Sequence, residues 1–270
     1  YVHIAEMPDG LRGKWKFTES NWKKKYIDQV SDTIDQIYDR KKSLSCFFTE
    51  SILGCGGQFI LPKGYLKEIF KLVKKRNALC IVDEVQTGFG RVGNNFWAYE
   101  EHDIIPDIVT LGKPMGNGHP IAAVITTKEI AKVFNNGMEY FNSFGGNPVS
   151  CSIGNAVLDI IENENLQSHA LKTGKYFLSS LKKIQKRYYN LISEVRGRGL
   201  FIGIDFIKGT SNTPNKLLAN SIINQLRNKG ILLSTDGPHN NVIKIKPPMP
   251  FNSNDVDFVC YELNKILNKI

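Results

Sequence analysis

Ala78-Leu-Cys-Ile-Val-Asp83-Glu-Val-Gln86-Thr-Gly88 is the stretch on which the fold turns. A short run of aliphatic and β-branched side chains, without polar alternation, ends on a carboxylate. Such a run is apolar on both faces and reads as a buried parallel strand. Thirty residues after Asp83 comes Lys113, in Pro106-Asp-Ile-Val-Thr-Leu-Gly-Lys113-Pro-Met-Gly116. Each segment places a charged group at the carboxyl end of a strand, the edge where open α/β sheets bind ligands.

An acid and a lysine meeting at that edge suit pyridoxal phosphate. The lysine amine forms a Schiff base with the aldehyde, and the carboxylate keeps the pyridine nitrogen protonated. By position alone Lys113 reads as a surface lysine after a strand; the bland alternative for Asp83 is a helix N-cap at a strand–turn.

The flanking sequence predicts the scaffold. Residues 1–20, with Pro8, Gly10 and Gly13, read as a loop. Trp22, Tyr26, Ile27, Val30, Ile34 and Ile37 fall at helical spacing over 21–40, with Asn21 as the expected N-cap. A strand at Leu44–Glu50, an amphipathic helix at Gly64–Arg76 and the strand ending at Asp83 imply a right-handed parallel crossover. Strands at Asp107–Leu111 and Ile121–Thr126 flank the Lys113 loop, and a long helix spans Asn147–Glu162. After about residue 163 the pattern changes. Two helices lead to strands at Leu191–Val195 and Leu200–Phe206; then come a helix at Asn215–Lys229, strands near Ile231–Ser234 and Val242–Ile245, and a closing helix. The expected architecture is α/β: residues 1–165 form a large domain, and 166–270 a small α+β domain.

Composition narrows the classes. The 270 residues are 41% hydrophobic, enough for a real core, and hold no apolar run of about eighteen residues. No membrane association is expected, and Tyr1-Val-His-Ile-Ala-Glu-Met-Pro8 has no signal-peptide pattern. Cys46, Cys55, Cys80, Cys151 and Cys260 are scattered and odd in number, which points to a reduced, intracellular protein without a zinc site. The net charge of +9 comes from lysines dispersed over helices such as Trp22–Tyr26 and Lys67–Arg76, so it reads as solvated helix faces rather than a nucleic-acid site. It would also give electrostatic steering to a phosphorylated anion.

Three segments in order resemble the class III, or ω-type, aminotransferase family of fold-type I pyridoxal phosphate enzymes. They are Asp83-Glu-Val-Gln86-Thr-Gly-Phe-Gly-Arg91, Pro106-Asp-Ile-Val-Thr-Leu-Gly-Lys113 and Asn142-Ser143-Phe-Gly-Gly-Asn-Pro148. Val195-Arg-Gly-Arg-Gly-Leu-Phe-Ile-Gly203 and Ile243-Lys244-Ile-Lys-Pro-Pro-Met249 extend the likeness to the C-terminus. Within the family the chain looks most like the ethanolamine-phosphate phospho-lyase group and its 5-phosphohydroxylysine sibling. Gly112-Lys-Pro-Met-Gly-Asn-Gly-His-Pro120, Gly137-Met-Glu-Tyr-Phe-Asn142 and Ser234-Thr-Asp-Gly-Pro-His239 carry that likeness.

The resemblance implies roles. Lys113 carries the Schiff base and acts as nucleophile and base. Asp83 bonds the pyridinium nitrogen, Val85 packs on a ring face, and Gln86 donates to the ring's phenolate oxygen. Ser143 stands where the family usually has a threonine that reaches the cofactor phosphate of the neighbouring subunit, so a homodimer is expected. Gly145-Gly146 permit close backbone approach to that phosphate. Glu50 supports the residues that touch the cofactor, Glu84 is structural, and Arg196 fixes a turn. His119 and His239 stand outside the catalytic set.

Two departures bear on reaction type. Many family members bind a substrate carboxylate with an arginine where this chain has Lys244, and several gate that arginine with a glutamate where this chain has Cys55. Lysine is a point charge and does not replace arginine's bidentate fork. The joint departure favours a phospho-lyase that takes a small phosphorylated amine such as phosphoethanolamine and releases phosphate; Lys244 and Lys246 are candidates for holding the leaving group. An ω-aminotransferase is the alternative, and a catalytically incomplete paralogue pairing with a full-length subunit is another. The resemblance also implies an upstream segment with the cofactor-phosphate loop, a ring-stacking aromatic and much of the dimer interface. The chain therefore reads as part of a longer protein, expected alone to bind the cofactor weakly or not at all. Cytosol and mitochondrial matrix both remain open.

Overall fold

The computed structural model describes residues 1–270. Along the chain come α1 (Trp22–Asp39), β1 (Cys46–Glu50), a short hairpin of β2 (Ile52–Leu53) and β3 (Phe59–Ile60), α2 (Tyr65–Lys74), β4 (Leu79–Asp83), β5 (Ile108–Leu111), β6 (Ala123–Thr126), α3 (Lys128–Phe134) and α4 (Pro148–Asn163). Then follow α5 (Leu166–Arg187), β7 (Ile192–Arg198), β8 (Phe201–Lys208), β9 (Thr213–Pro214), α6 (Lys216–Arg227), β10 (Ser234–Asp236), β11 (Val242–Ile245) and α7 (Ser253–Leu267). No helix is long and apolar enough to cross a membrane.

The chain divides into two compact units. The first takes Tyr1–Ser51, Leu61–Gly88 and Ala98–Ile160; the second takes Ile52–Ile60, Phe89–Trp97 and Ile161–Ile270. The two early excursions into the second unit, at 52–60 and 89–97, have no counterpart in the sequence pattern.

In the first unit the sheet order is β1-β4-β5-β6. β1, β4 and β5 are parallel, and β6 closes antiparallel on β5. Cys80 and Val82 of β4 are fully buried, while Leu79 and Ile81 are only partly so: the unalternated run is sealed on one face and half-covered on the other. α1 turns Tyr26, Val30, Ile34 and Ile37 inward at helical spacing. Asn21 does not cap it through its side chain: its backbone is left-handed at φ 57°, and only its carbonyl joins the helix, accepting from Lys25 N–H at 3.0 Å. Large apolar side chains stand exposed on the edge strands (Phe48; Val124, Ile125), on α3 (Val133, Phe134) and in the loop before α4 (Met138, Phe141, Phe144).

In the second unit β10-β11-β8-β7 form an antiparallel sheet, with β9 paired to β8. Its core draws Phe177 and Leu181 from α5, Ile204 and Phe206 from β8, Ile222 from α6, Ile243 from β11 and Leu263 from α7. A single helix of 22 residues, α5, replaces the two helices expected before β7. Gly174 inside it is no breaker but a packing point. A Cβ there would fall 2.2 Å from the Gly199 carbonyl oxygen, so the turn before β8 sits directly on the helix backbone. The strand expected near Ile231–Ser234 lies later, at Ser234–Asp236.

Phe177 is fully buried and stacks on Phe251 at 5.7 Å between ring centroids. Phe177→Ala is expected to cost about 3–5 kcal/mol, read by urea unfolding. A loss below about 1 kcal/mol would contradict this description of the second unit's core.

Candidate cofactor site

Parallel pairing carries the predicted residues to one edge of the first unit's sheet. Glu50 is paired with Asp83, and Asp83 with Thr110; Lys113 follows just beyond the end of β5. Adjacent strands lie about 4.8 Å apart, so Glu50 and Asp83 are neighbours.

Asp83 is half-buried, and its Oδ1 accepts a hydrogen bond from Val85 N–H at 2.8 Å. That bond fixes the carboxylate's attitude, and its second oxygen has no partner in the protein. Lys113 opens a single 3₁₀ turn, Lys113–Met115, with a left-handed φ of 37°. A non-glycine residue rarely holds that conformation without a surrounding structure that enforces it. Here Pro114 follows, and Met115 N–H closes the turn onto the Gly112 carbonyl at 3.0 Å. The Lys113 side chain is exposed, and its amine makes no bond within the protein.

Val85 links the two strand-end loops. A Cβ on Gly112 would lie 3.6 Å from Val85 Cγ2, so this side chain packs against the backbone immediately before the lysine. Gln86 Nε2 donates to Glu50 Oε1 at 3.0 Å, so Glu50 holds the amide expected to face the ring. Thr110, in register with Asp83, has a buried hydroxyl oxygen without a partner in the protein.

Glu84 holds more than the sequence suggested. It is fully buried, and its carboxylate accepts from Ser51 Oγ at 2.6 Å, Tyr99 N–H at 2.8 Å, Thr87 Oγ1 at 2.8 Å and Ala98 N–H at 3.1 Å. Burial raises its pKa from the ordinary carboxylate range, and the four hydrogen bonds oppose that shift. His102 Nε2 lies 2.8 Å from the Ser51 carbonyl oxygen, so Ser51 is held from both sides. The sequence signal was an acid buried at a strand end, which demands partners that pattern alone does not name.

Other predicted residues lie elsewhere. Ser143 sits in the exposed loop before α4, where Asn142 Oδ1 accepts from the N–H groups of Phe144 and Gly145. Cys55 and Lys244 both belong to the second unit. Cys55 is exposed, and its carbonyl accepts from Gly237 N–H at 3.2 Å. Lys244 pairs with Asp236 at 3.2 Å. Arg196 fixes the Cys55 loop by donating to the Gly57 carbonyl at 2.9 Å, while it also pairs with Glu194 and Asp205. His119 reaches the Ser150 hydroxyl at 2.7 Å and so ties the Lys113 loop to the start of α4.

This donor set fits pyridoxal phosphate. Asp83 has an oxygen that could accept from a protonated ring nitrogen, Lys113 has an unpartnered amine that could meet the aldehyde, and Val85 has an apolar side chain packed beside the lysine's backbone.

Comparison with known proteins agrees. The class-III aminotransferase family profile matches residues 3–267. A Drosophila melanogaster protein called alanine–glyoxylate aminotransferase 2-like is 42% identical over 263 residues, covering 95% of this chain and 53% of that relative. The Caenorhabditis elegans ethanolamine-phosphate phospho-lyase homolog 1 is 40% identical over 280 aligned positions, covering 99% of this chain and 60% of its own length. Among solved structures, a phospholyase from Arthrobacter in complex with phosphoethanolamine superposes with a TM-score of 0.91 at 37% identity, over 94% of this chain and 61% of that one. The chain thus spans a little over half the length of these relatives. On the strength of a match along almost its whole length, the chain belongs to the class III aminotransferases, a family of pyridoxal phosphate enzymes.

Proposed function

We propose that the protein containing this chain is a pyridoxal phosphate-dependent phospho-lyase. It converts phosphoethanolamine and water to acetaldehyde, ammonia and inorganic phosphate. The observation that carries this reading is that Lys244 and Cys55 stand where the family resemblance implies a carboxylate-binding arginine and its gating glutamate. The names of the nematode relative and the Arthrobacter structure support it. The exposed apolar edges of the first unit fit a domain completed by further chain and by a second subunit.

When bound, the cofactor supplies an aldehyde that takes up the substrate amine and a ring that withdraws electrons from the adjacent carbon. Asp83 holds the proton on the ring nitrogen, because a carboxylate within hydrogen-bond reach favours the charged form. Val85 would hold the ring face, and Gln86, positioned by Glu50, would donate to the ring oxygen. With the cofactor bound, the Lys113 amine would serve as the base that removes the proton from the carbon bearing the substrate nitrogen. With a phosphate ester on the neighbouring carbon, the C–O bond breaks and the electron pair leaves with phosphate. Lys244 is assigned to that phosphate as a charge-assisted donor. Ser143 is assigned to the cofactor phosphate of the partner subunit.

Three outcomes test this. Phosphoethanolamine should yield stoichiometric inorganic phosphate without a keto acid; amino transfer that requires a keto acid and releases no phosphate would instead make the enzyme an ω-aminotransferase. Lys113→Ala should abolish the borohydride-fixed cofactor adduct and lower turnover by at least about 10²-fold; an adduct that persists on another lysine would overturn its role. Lys244→Ala should raise KM for phosphoethanolamine about tenfold or more with little change in kcat; an unchanged KM would remove Lys244 from the substrate site.

A further inference from the structure

We infer that Glu84 is a positioning residue: a buried four-fold acceptor that sets the strand-end loop so that Asp83, Val85 and Gln86 face the cofactor. The inference rests on the cofactor reading above and concerns a residue the mechanism does not use.

The geometry is specific to a carboxylate. Oε1 receives the Ser51 hydroxyl at 2.6 Å and Tyr99 N–H at 2.8 Å; Oε2 receives the Thr87 hydroxyl at 2.8 Å and Ala98 N–H at 3.1 Å. Each oxygen therefore faces one hydroxyl, which can rotate, and one backbone N–H, which cannot. A glutamine of the same shape would turn its amide nitrogen toward one of those fixed N–H groups whichever way it flipped. Only an acceptor at both positions satisfies the pocket, and the side chain is fully buried, so water cannot substitute.

The four donors also bracket the cofactor-facing residues. Thr87 and Glu84 flank Val85 and Gln86 in sequence. Ser51 follows Glu50, whose carboxylate holds Gln86. Glu84 N–H donates to the Thr110 carbonyl at 3.0 Å, on the strand that leads to Lys113. The Glu84 carboxyl thus joins the ends of β1 and β4 with the segment starting at Ala98, and its backbone N–H adds β5. Asp83 and Glu84, adjacent acids, divide the work: Asp83 keeps an oxygen for a ligand, and Glu84 spends every lone pair on the frame.

The test compares wild type with Glu84→Gln and with Thr87→Val, which removes one hydroxyl donor and leaves the carboxyl group. The full-length enzyme, stripped of cofactor, is titrated with pyridoxal phosphate. The pH midpoint of the bound cofactor's visible band is then recorded, and kcat is separated from KM. Glu84→Gln should weaken cofactor affinity about tenfold or more, move the pH midpoint and lower kcat with little change in KM for the amine. Thr87→Val should move the same readouts in the same direction by less. If Glu84→Gln does not fold, Thr87→Val alone decides. Variants that lose thermal stability but keep wild-type affinity, pH midpoint and kcat would overturn the inference. Failure of the wild-type holoenzyme to hold the cofactor on Lys113 would instead overturn the reading on which it rests.

Discussion

The parallel register of β1, β4 and β5 is the constraint on which the rest depends. Backbone ladders are blind to side-chain identity, yet they decide which residues share an edge. Here they set Glu50 beside Asp83 and Asp83 beside Thr110, with Lys113 just beyond. A slip of one residue in any of these pairings would reverse the faces of the strand and turn the acid away from its neighbours. The apolar runs that precede each charged group hold the register, because Cys80 and Val82 on one face of the central strand are fully buried and a slip would expose them.

Register places the loops, and side-chain bonds then fix their shape. Val85 packs on the Gly112 backbone, Gln86 is held by Glu50, and Glu84 draws four donors onto one buried carboxylate. A buried charge without partners would be costly; fully satisfied, it becomes a rigid fastening. The left-handed backbone at Lys113 fits this picture, since strain of that kind persists only where the surroundings enforce it.

Much of this was legible in the sequence. The strands ending at Asp83 and before Lys113, the helix over 22–39 and the change of pattern after residue 163 follow from periodicity and breaker residues, which are local signals. The family likeness rests on short segments whose spacing survives without a structure. What was hidden is non-local. The excursions at 52–60 and 89–97 join the second unit through partners far along the chain, such as Arg196 to Gly57 and Arg91 to Pro247. That one helix, α5, takes the place of the two expected is tied to a contact out of local view, because Gly174 inside it packs on the Gly199 carbonyl 25 positions away. Glu84 looked merely structural because its donors come from Ser51, Ala98 and Tyr99 as well as nearby Thr87. Asn21 carried a cap signal that its left-handed backbone does not use.

The central claim is that one small ring is shared between the Asp83 carboxylate and the Lys113 amine. A crystal structure of the holoenzyme measures this directly. The account predicts continuous density from Lys113 Nζ to the cofactor, with an Asp83 oxygen within about 3 Å of the ring nitrogen. A cofactor bound with Asp83 and Lys113 opening into separate cavities would contradict it.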